Sequence, residues 1–395
     1  MNLSLKSLSR RLVLLLLVFN FCHSVVAQEK KNNFKVGGAV RFNLFSKSWV
    51  DNNTQPEFTW DTWRLNVDGS AGGIDLSFEY RFYPTFDTHF IHHGYLGYAF
   101  NDNLYMKLGV SQVPFGITKY ASHSWWFQGQ YYFGLEDDYD MGIKFDYAGI
   151  DKLDLSFAYY RQAEPEGPTA GGVTYGNAGP GRYSYDITPG VGKIGTSTVD
   201  AHIRELNQVN VRAAYHISEQ LEVGLSGQVG GIYNSALDEA ETSTAFAAHV
   251  LADWGKGWNF KGTFINYNYA AKADNGQSLD IIQMGAYGSP YDVATEANAY
   301  AVGIAKSFPV ELGPITNIQA YVDYTYVDKT KEEYADMHHL IPGILISAGP
   351  LYTYIDYAMG KNQPWLTPTF GKGLGVGDED AEWMKRFNIN FGYYF

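Results

Sequence analysis

The chain has 395 residues, with 29 Lys and Arg against 42 Asp and Glu for a formal charge of −13, a balance that argues against nucleic acid as a partner. Its only cysteine, Cys22, lies in the N-terminal leader, which excludes disulfides and cysteine chemistry from the remainder. Aromatics make up 16% and glycines number 42, yet nothing beyond the leader approaches the roughly 18 to 20 consecutive apolar residues of a membrane-crossing helix.

The leader carries Lys6, Arg10 and Arg11 ahead of an apolar run over residues 12–19, and small residues ending at Ala27. This pattern predicts a secretory signal peptide over residues 1–27, cleaved between Ala27 and Gln28. Cys22 follows Phe19-Asn20-Phe21 rather than the small residues of a lipoprotein signal. Removing three cations and no acid makes the remaining unit, residues 28–395, three charges more negative. An exported, acidic, aromatic-rich chain without long apolar runs fits an outer-membrane β-barrel, whose strands alternate lipid-facing apolar with lumen-facing polar residues. A soluble secreted β-protein is the alternative.

Period-2 alternation begins with Phe34, Val36, Val40, Phe42 and Leu44 against Lys35, Arg41 and Asn43. It recurs over 63–67, 74–82, 91–100 and 104–110, stops for the aromatic stretch that opens with Pro114, and resumes over 139–147 and 153–161. Further strands are predicted over 206–216, 221–233, 244–254, 258–269, 297–306, 316–327, 341–348, 351–359 and 384–395. That makes sixteen, the even number a bacterial barrel requires. The connections alternate. Those after even strands are short, such as 69–73 and Gly349-Pro350, with 307–315 as the exception, whereas those after odd strands reach 162–205, 270–296 and 360–383. Short turns on one rim and long loops on the other predict periplasmic and extracellular ends. The last strand alternates Phe387, Ile389, Phe391, Tyr393 and Phe395 with polar residues and ends on the aromatic, as barrel insertion signals do.

The run Ile91 to Gly116, IHHGYLGYAFNDNLYMKLGVSQVPFG, resembles the strand-turn-strand and PFG segment of the porin O and P family of phosphate- and polyphosphate-selective outer-membrane porins. Residues 344–360 (ILISAGPLYTYIDYAMG), Lys361-Asn362 and the ending NINFGYYF resemble that family's Bacteroidetes-type members. The resemblance implies a sixteen-stranded, homotrimeric porin that passes anions.

With polar faces taken as inward, Arg386, Lys35, Arg41, Arg64, Arg81, Lys107 and Lys144 form a basic stripe on neighbouring strands, with His93 on the fourth. Such cations lower the cost of stripping water from an anion, and they resemble the family's arginine ladder. Asp68, Asp75, Glu79, Asp140 and Asp146 share the wall and could reduce the stripe to one half of a transverse field. The loop from Pro114, Phe115 and Gly116 through Lys119, Tyr120, Trp125 and Trp126 is expected to fold inward as a constriction; packing against the wall or a trimer contact is the alternative. Loop 162–205 is too long to be structureless: it covers the mouth, reaches a neighbouring subunit, or is variable surface.

Catalytic signals fail. His92 and His93 fall on opposite faces of a strand, no carboxylate completes a site with His89, and His338-His339 reads as a loop pair, so no metal is expected. Gly190-Val191-Gly192-Lys193 lacks the Ser or Thr and the strand-to-helix setting of a phosphate loop. The expectation is an all-β transmembrane barrel in the outer membrane, a non-enzymatic passive channel without cofactor. Its partners are small hydrophilic solutes, anions among them, and outer-membrane lipid. A plugged barrel acting as adhesin or scaffold, and an outer-membrane enzyme, are the rivals.

Overall fold

The alternating segments close into a ring in a computed structural model that describes residues 32–118, 120–171 and 178–395. The first eight barrel strands are β1 (Asn33–Lys47), β2 (Glu57–Ala71), β3 (Ile74–Tyr83), β4 (Thr88–Asn101), β5 (Leu104–Gln112), β6 (Tyr139–Ile150), β7 (Leu153–Ala163) and β8 (Ile203–Ser218). The rest are β9 (Leu221–Asn234), β10 (Glu239–Gly255), β11 (Trp258–Asn268), β12 (Glu296–Leu312), β13 (Ile315–Lys329), β14 (Met337–Ala348), β15 (Leu351–Lys361) and β16 (Met384–Tyr394). Each pairs antiparallel with its sequence neighbours, and β16 pairs with β1 to close sixteen strands into one barrel. The terminal Phe395 finishes the seam, exchanging backbone hydrogen bonds with Gly38 at 2.8 and 3.0 Å. Closure leaves no unpaired edge, the condition for a sheet to sit in hydrocarbon.

Outward positions are apolar and exposed: Val36, Leu65, Leu96, Leu108, Phe157 and Val211 belong to this belt, with Leu225, Val302 and Ile344 further round. Exposed Trp254, Trp258, Tyr352 and Tyr393 add the aromatics typical of barrel rims. Inward positions hold the buried polar residues, among them Asn43, Asp61, Arg81, Lys144, Arg212 and Asp323.

The strands match the alternation, several run longer than expected, β1 to Lys47 and β2 from Glu57 among them, and three connections differ. The long turn expected over 307–315 is the two-residue Gly313-Pro314, because β12 continues to Leu312 and pairs with Ile315. Pro309 sits beside a register shift, where a strand tolerates the missing N–H. The loop expected before residue 91 is only the single 3-10 turn Pro84–Phe86 and Asp87. His338 and His339 lie in β14 rather than in a loop.

The long loops form a second layer. Short strands Asp186–Ile187, Gly190–Ile194 and Ser197–Ala201 from the loop after β7 join Ile281–Gly285 and Tyr291–Ala294 from the loop after β11 in one sheet. Val293 bridges to Leu374 in the loop after β15. Gly167–Ala170 pairs with Gly179–Gly181, and Thr88 donates to the Pro168 carbonyl at 2.6 Å. The loop after β7 therefore packs on other loops of its own chain. The Gly190-to-Lys193 segment is strand, with Lys193 paired to Asp292, which removes the phosphate-loop reading. The signal peptide expected over residues 1–27 lies outside the described residues.

Candidate functional site

The loop after β5 owes its course to buried groups on distant strands. Gly116, at φ +56, donates its N–H to Ser226 on β9 at 3.0 Å, and its carbonyl accepts from Arg212 on β8 at 2.8 Å. Lys261 on β11 donates to the carbonyls of Tyr120 and Ser122 at 2.7 and 2.9 Å. The backbone N–H groups of His123 and Ser124 both reach Asp323 on β13, at 2.7 and 2.9 Å, and Gly129 donates to Thr325 at 2.9 Å. β13 stands halfway round the ring from β5. A buried 3-10 turn, Gly129–Phe133, follows and ends at Gly134 with φ +77. Stacking of Phe127 on Tyr131 at 3.9 Å and of Phe133 on Tyr267 at 5.0 Å packs it. Phe115 is buried at the base. Lys119 lies outside the described residues.

The basic residues do not form one continuous row. Arg41 pairs with Asp61 at 2.7 Å. Arg64 and Arg81 are direct cross-strand partners; they share Glu79, which Arg81 bonds and Arg64 approaches at 3.7 Å while Asn66 donates to it at 2.6 Å. Lys107 and Lys144 also stand directly opposite, their repulsion offset by Asp146 at 3.2 and 3.7 Å. Arg386 lies over the Phe45 ring at 3.9 Å and within 5.1 Å of the Trp126 ring. Lys35 is exposed near the start of β1. Of the shared-wall acids, Asp68 and Asp75 take hydroxyl donors, Ser77 at 2.7 Å and Tyr105 at 3.0 Å.

His92 and His93 correct the expectation of opposite faces. A register shift after Glu79 makes His92 an extra residue in β4, so both rings meet, with Nδ1 atoms 2.9 Å apart.

Between the β1–β3 wall and the loop after β5 lies a cavity of about 380 Å³. Arg41, Arg81 and Arg386 line it, as do Tyr120, Trp125 and Trp126. Lys35, Arg64, Lys107, Lys144, Pro114, Phe115 and Gly116 do not border it. Lys47 does, and sequence reading ended β1 too early to include it, although 41, 43, 45 and 47 continue one face. Among the described residues, four cations border the cavity against two acids, Glu57 and Asp61. Thirteen of its 22 lining residues are aromatic, including Tyr183, Tyr287 and Trp365 from three separate loops, a convergence no sequence pattern announces. Burial pushes the Tyr183 and Tyr185 hydroxyls well above their usual range, so they stay neutral and add no charge to the cavity.

No protein-family model matches the chain, and no curated protein matches it. Solved structures do. The anion-selective porin from Comamonas acidovorans superposes with a TM-score of 0.56 at 13% identity, covering 92% of this chain and 100% of that one. OmpT of Vibrio cholerae in its trimer form gives 0.55 at 14%, covering 93% and 100%. The outer membrane channel DcaP of Acinetobacter baumannii gives 0.53 at 11%, covering 94% and 100%. The chain has the fold of a porin. At these identities the likeness is one of fold, and the cavity has to be read from its own side chains.

Two features of this porin fold separate wall from loop. The wall strands β1 to β6 carry Arg41, Arg64, Arg81, Lys107 and Lys144 against Asp61, Glu79 and Asp146 in direct ion pairs. The opposite strands spend their polar side chains on holding the loop: Arg212, Asn259, Lys261 and Asp323 all bond to it. His339, buried on β14, packs edge-on to Trp126 and Tyr132.

Proposed function

We propose that the chain is a passive channel of the outer membrane of a Gram-negative bacterium, a homotrimeric member of the porin O and P family, admitting small hydrophilic solutes with a preference for anions. The observation that carries this reading is the cavity between the β1–β3 wall and the loop after β5, where three guanidiniums and Lys47 outnumber Glu57 and Asp61. A guanidinium fork matches the oxygens of phosphate or carboxylate, and the aromatic sides supply stacking surfaces for an organic solute. The loop after β5 acts as the constriction, with Tyr120, Trp125 and Trp126 on the solute side and Pro114, Phe115 and Gly116 as its hinge. Arg41, Arg81 and Arg386 form the selective part of the stripe; Arg64, Lys107, Lys144 and Lys35 tune the field from outside the cavity. The mechanism is diffusion under an electrostatic bias, without turnover or cofactor. Removal of residues 1–27 on export precedes it.

The test is the reversal potential of the purified protein in a planar bilayer across a potassium chloride gradient, with Arg41→Ala plus Arg386→Ala beside the wild type. A chloride-preferring potential that shrinks in the double variant supports the reading; cation preference in the wild type overturns it. A second reading, a plugged barrel displaying its loops, is favoured by the buried loop residues Tyr131, Phe133, Tyr185 and Met284. A silent bilayer would establish it.

A further inference from the structure

Where β6 begins, four buried carboxyl groups come together, with a fifth, half-buried, beside them. Asp138, at the end of the loop after β5, Asp140 on β6 and Asp186 in the loop after β7 are each under one-tenth exposed, and each places an oxygen within 4.8 Å of the other two. Glu164, just past β7 and equally buried, faces Asp186. Glu205 at the start of β8 adds its charge to the same group. A single guanidinium answers them: Arg182 bonds Asp186 at 3.1 Å but also Glu166, outside the group, at 2.8 Å.

The donors are as telling as the charges. Ser184 donates its N–H to one oxygen of Glu164 at 2.8 Å, and Gln208 donates to one oxygen of Asp140 at 3.0 Å. The other oxygens, Glu164 Oε2 and Asp140 Oδ1, are buried without any donor among the described residues, as is Asp138 Oδ1. One oxygen of Glu164 and one of Asp140 are thus fixed by the protein while the second of each is left without a donor among the described residues. Buried carboxyl oxygens in that arrangement are satisfied either by a shared proton or by a bound cation.

We propose that this pocket binds one calcium ion, held by Asp138, Asp140 and Asp186 with Glu164 as a fourth ligand. The donor set is all oxygen, with neither His nor Cys, which selects a hard cation over a transition metal. Three or four carboxylates suit calcium, whereas magnesium keeps most of its waters and takes only one or two. The ligands come from the loop after β5, from β6 and from two places in the loop after β7, 138 to 186 in the chain. The ion therefore clamps the return limb of the first loop and the Ser184 segment onto the barrel wall, where Tyr139 already donates its N–H to Ser184 Oγ at 2.9 Å. The spacing of these acids in the chain matches no calcium-loop motif, and the expectation of no metal rested on the histidine pairs alone.

The test uses the full chain, purified in detergent and stripped with EGTA. Titration with calcium chloride, followed by calorimetry and equilibrium dialysis, should give one ion per chain, and a millimolar addition should raise the thermal midpoint by about 5 °C or more. Asp138→Asn plus Asp186→Asn should bind at least tenfold more weakly. Its midpoint in EGTA should equal or exceed that of the wild type, because the repulsion is gone, and this would show that it folds. Should it fail to fold, Asp140→Asn and Glu164→Gln taken singly decide, each being expected to weaken binding. No stoichiometric calcium in the wild type, wild-type affinity in the variants, or magnesium binding as tightly as calcium would each overturn the proposal. None of these readouts depends on whether the barrel conducts.

Discussion

His123 and Asp323, two hundred positions apart, are joined by a 2.8 Å contact between Nδ1 and Oδ1, and the His123 N–H reaches the other carboxylate oxygen at 2.7 Å. Since the Ser124 N–H shares that second oxygen at 2.9 Å, one buried carboxylate on β13 holds three donors of the loop after β5. Asp323→Ala leaves all three without an acceptor, each such loss costing about 1–3 kcal/mol. The barrel ladder does not depend on them, so the loop detaches before the barrel melts. Single-channel recording should show a larger and noisier conductance, with Asp323→Asn in between. An unchanged conductance in Asp323→Ala would show that this loop does not set the width.

The Arg41–Asp61 pair makes a prediction of opposite sign to the removal of cations. Asp61 neutralises a guanidinium that borders the cavity, its oxygen 2.7 Å from Nε. Asp61→Asn keeps the shape and adds one net positive charge to the lining. A unit charge a few ångströms from a permeating ion, in partly screened surroundings, is worth on the order of 1 kcal/mol, so the chloride-to-potassium permeability ratio should rise about two- to tenfold. A fall in the ratio would mean that solutes take a path that avoids Arg41.

Gly109, in the segment that most resembles the porin O and P family, has φ +131. A Cβ there would stand 2.3 Å from the Gly94 carbonyl oxygen on β4, a backbone atom that cannot swing aside. Gly109→Ala therefore meets a conformation side chains avoid and a clash between adjacent strands. We expect a cost of about 3 kcal/mol or more, visible as loss of the heat-modifiable folded band after insertion. A fully folded, heat-modifiable variant would contradict this account of the segment.

How much of this was legible beforehand depends on the range of the interaction. The sixteen strands follow from local alternation, because each strand must turn one face to lipid and the other to the lumen. The Gly313-Pro314 turn is hidden in a stretch expected as the longer connection 307–315, because the register shift beside Pro309 shows only in the strand pairing. The same limit placed His92 and His93 on opposite faces. Arg41, Arg81 and Arg386 were found on the cavity wall since inward parity is local, but Arg64 standing opposite Arg81 around Glu79 is a matter of register. Tyr183, Tyr287 and Trp365 meet only because three loops pack together, and alternation carries no information about that.

His202 offers a titration outside the spanning strands. Its Nδ1 lies 2.6 Å from Asp274 Oδ2, its N–H donates to Oδ1 at 2.9 Å, and Asn234 donates to the same oxygen at 3.0 Å. The hydrogen bond to Asp274, and then its charge, hold the imidazole above its ordinary value of 6.5. Because the folded value is the higher one, the contact contributes fully below pH about 6.5 and is lost as pH rises through the folded value. For Asp274, held below its ordinary range first by the His202 N–H, the sign reverses: its contribution is present above about pH 4 and is lost as pH falls. His202 is exposed and Asp274 only partly buried, so water screens the pair and the effect is local, a slower opening of the link between the loop sheet and β8 at pH 5 to 6 than at pH 8. Following the His202 ring protons by NMR in micelles should show the raised value returning to the ordinary one in Asp274→Asn, and amide protection at residues 200–203, taken relative to the intrinsic exchange rate at each pH, should lose its pH dependence. A titration indifferent to Asp274→Asn would remove this pair as the latch between loop and strand.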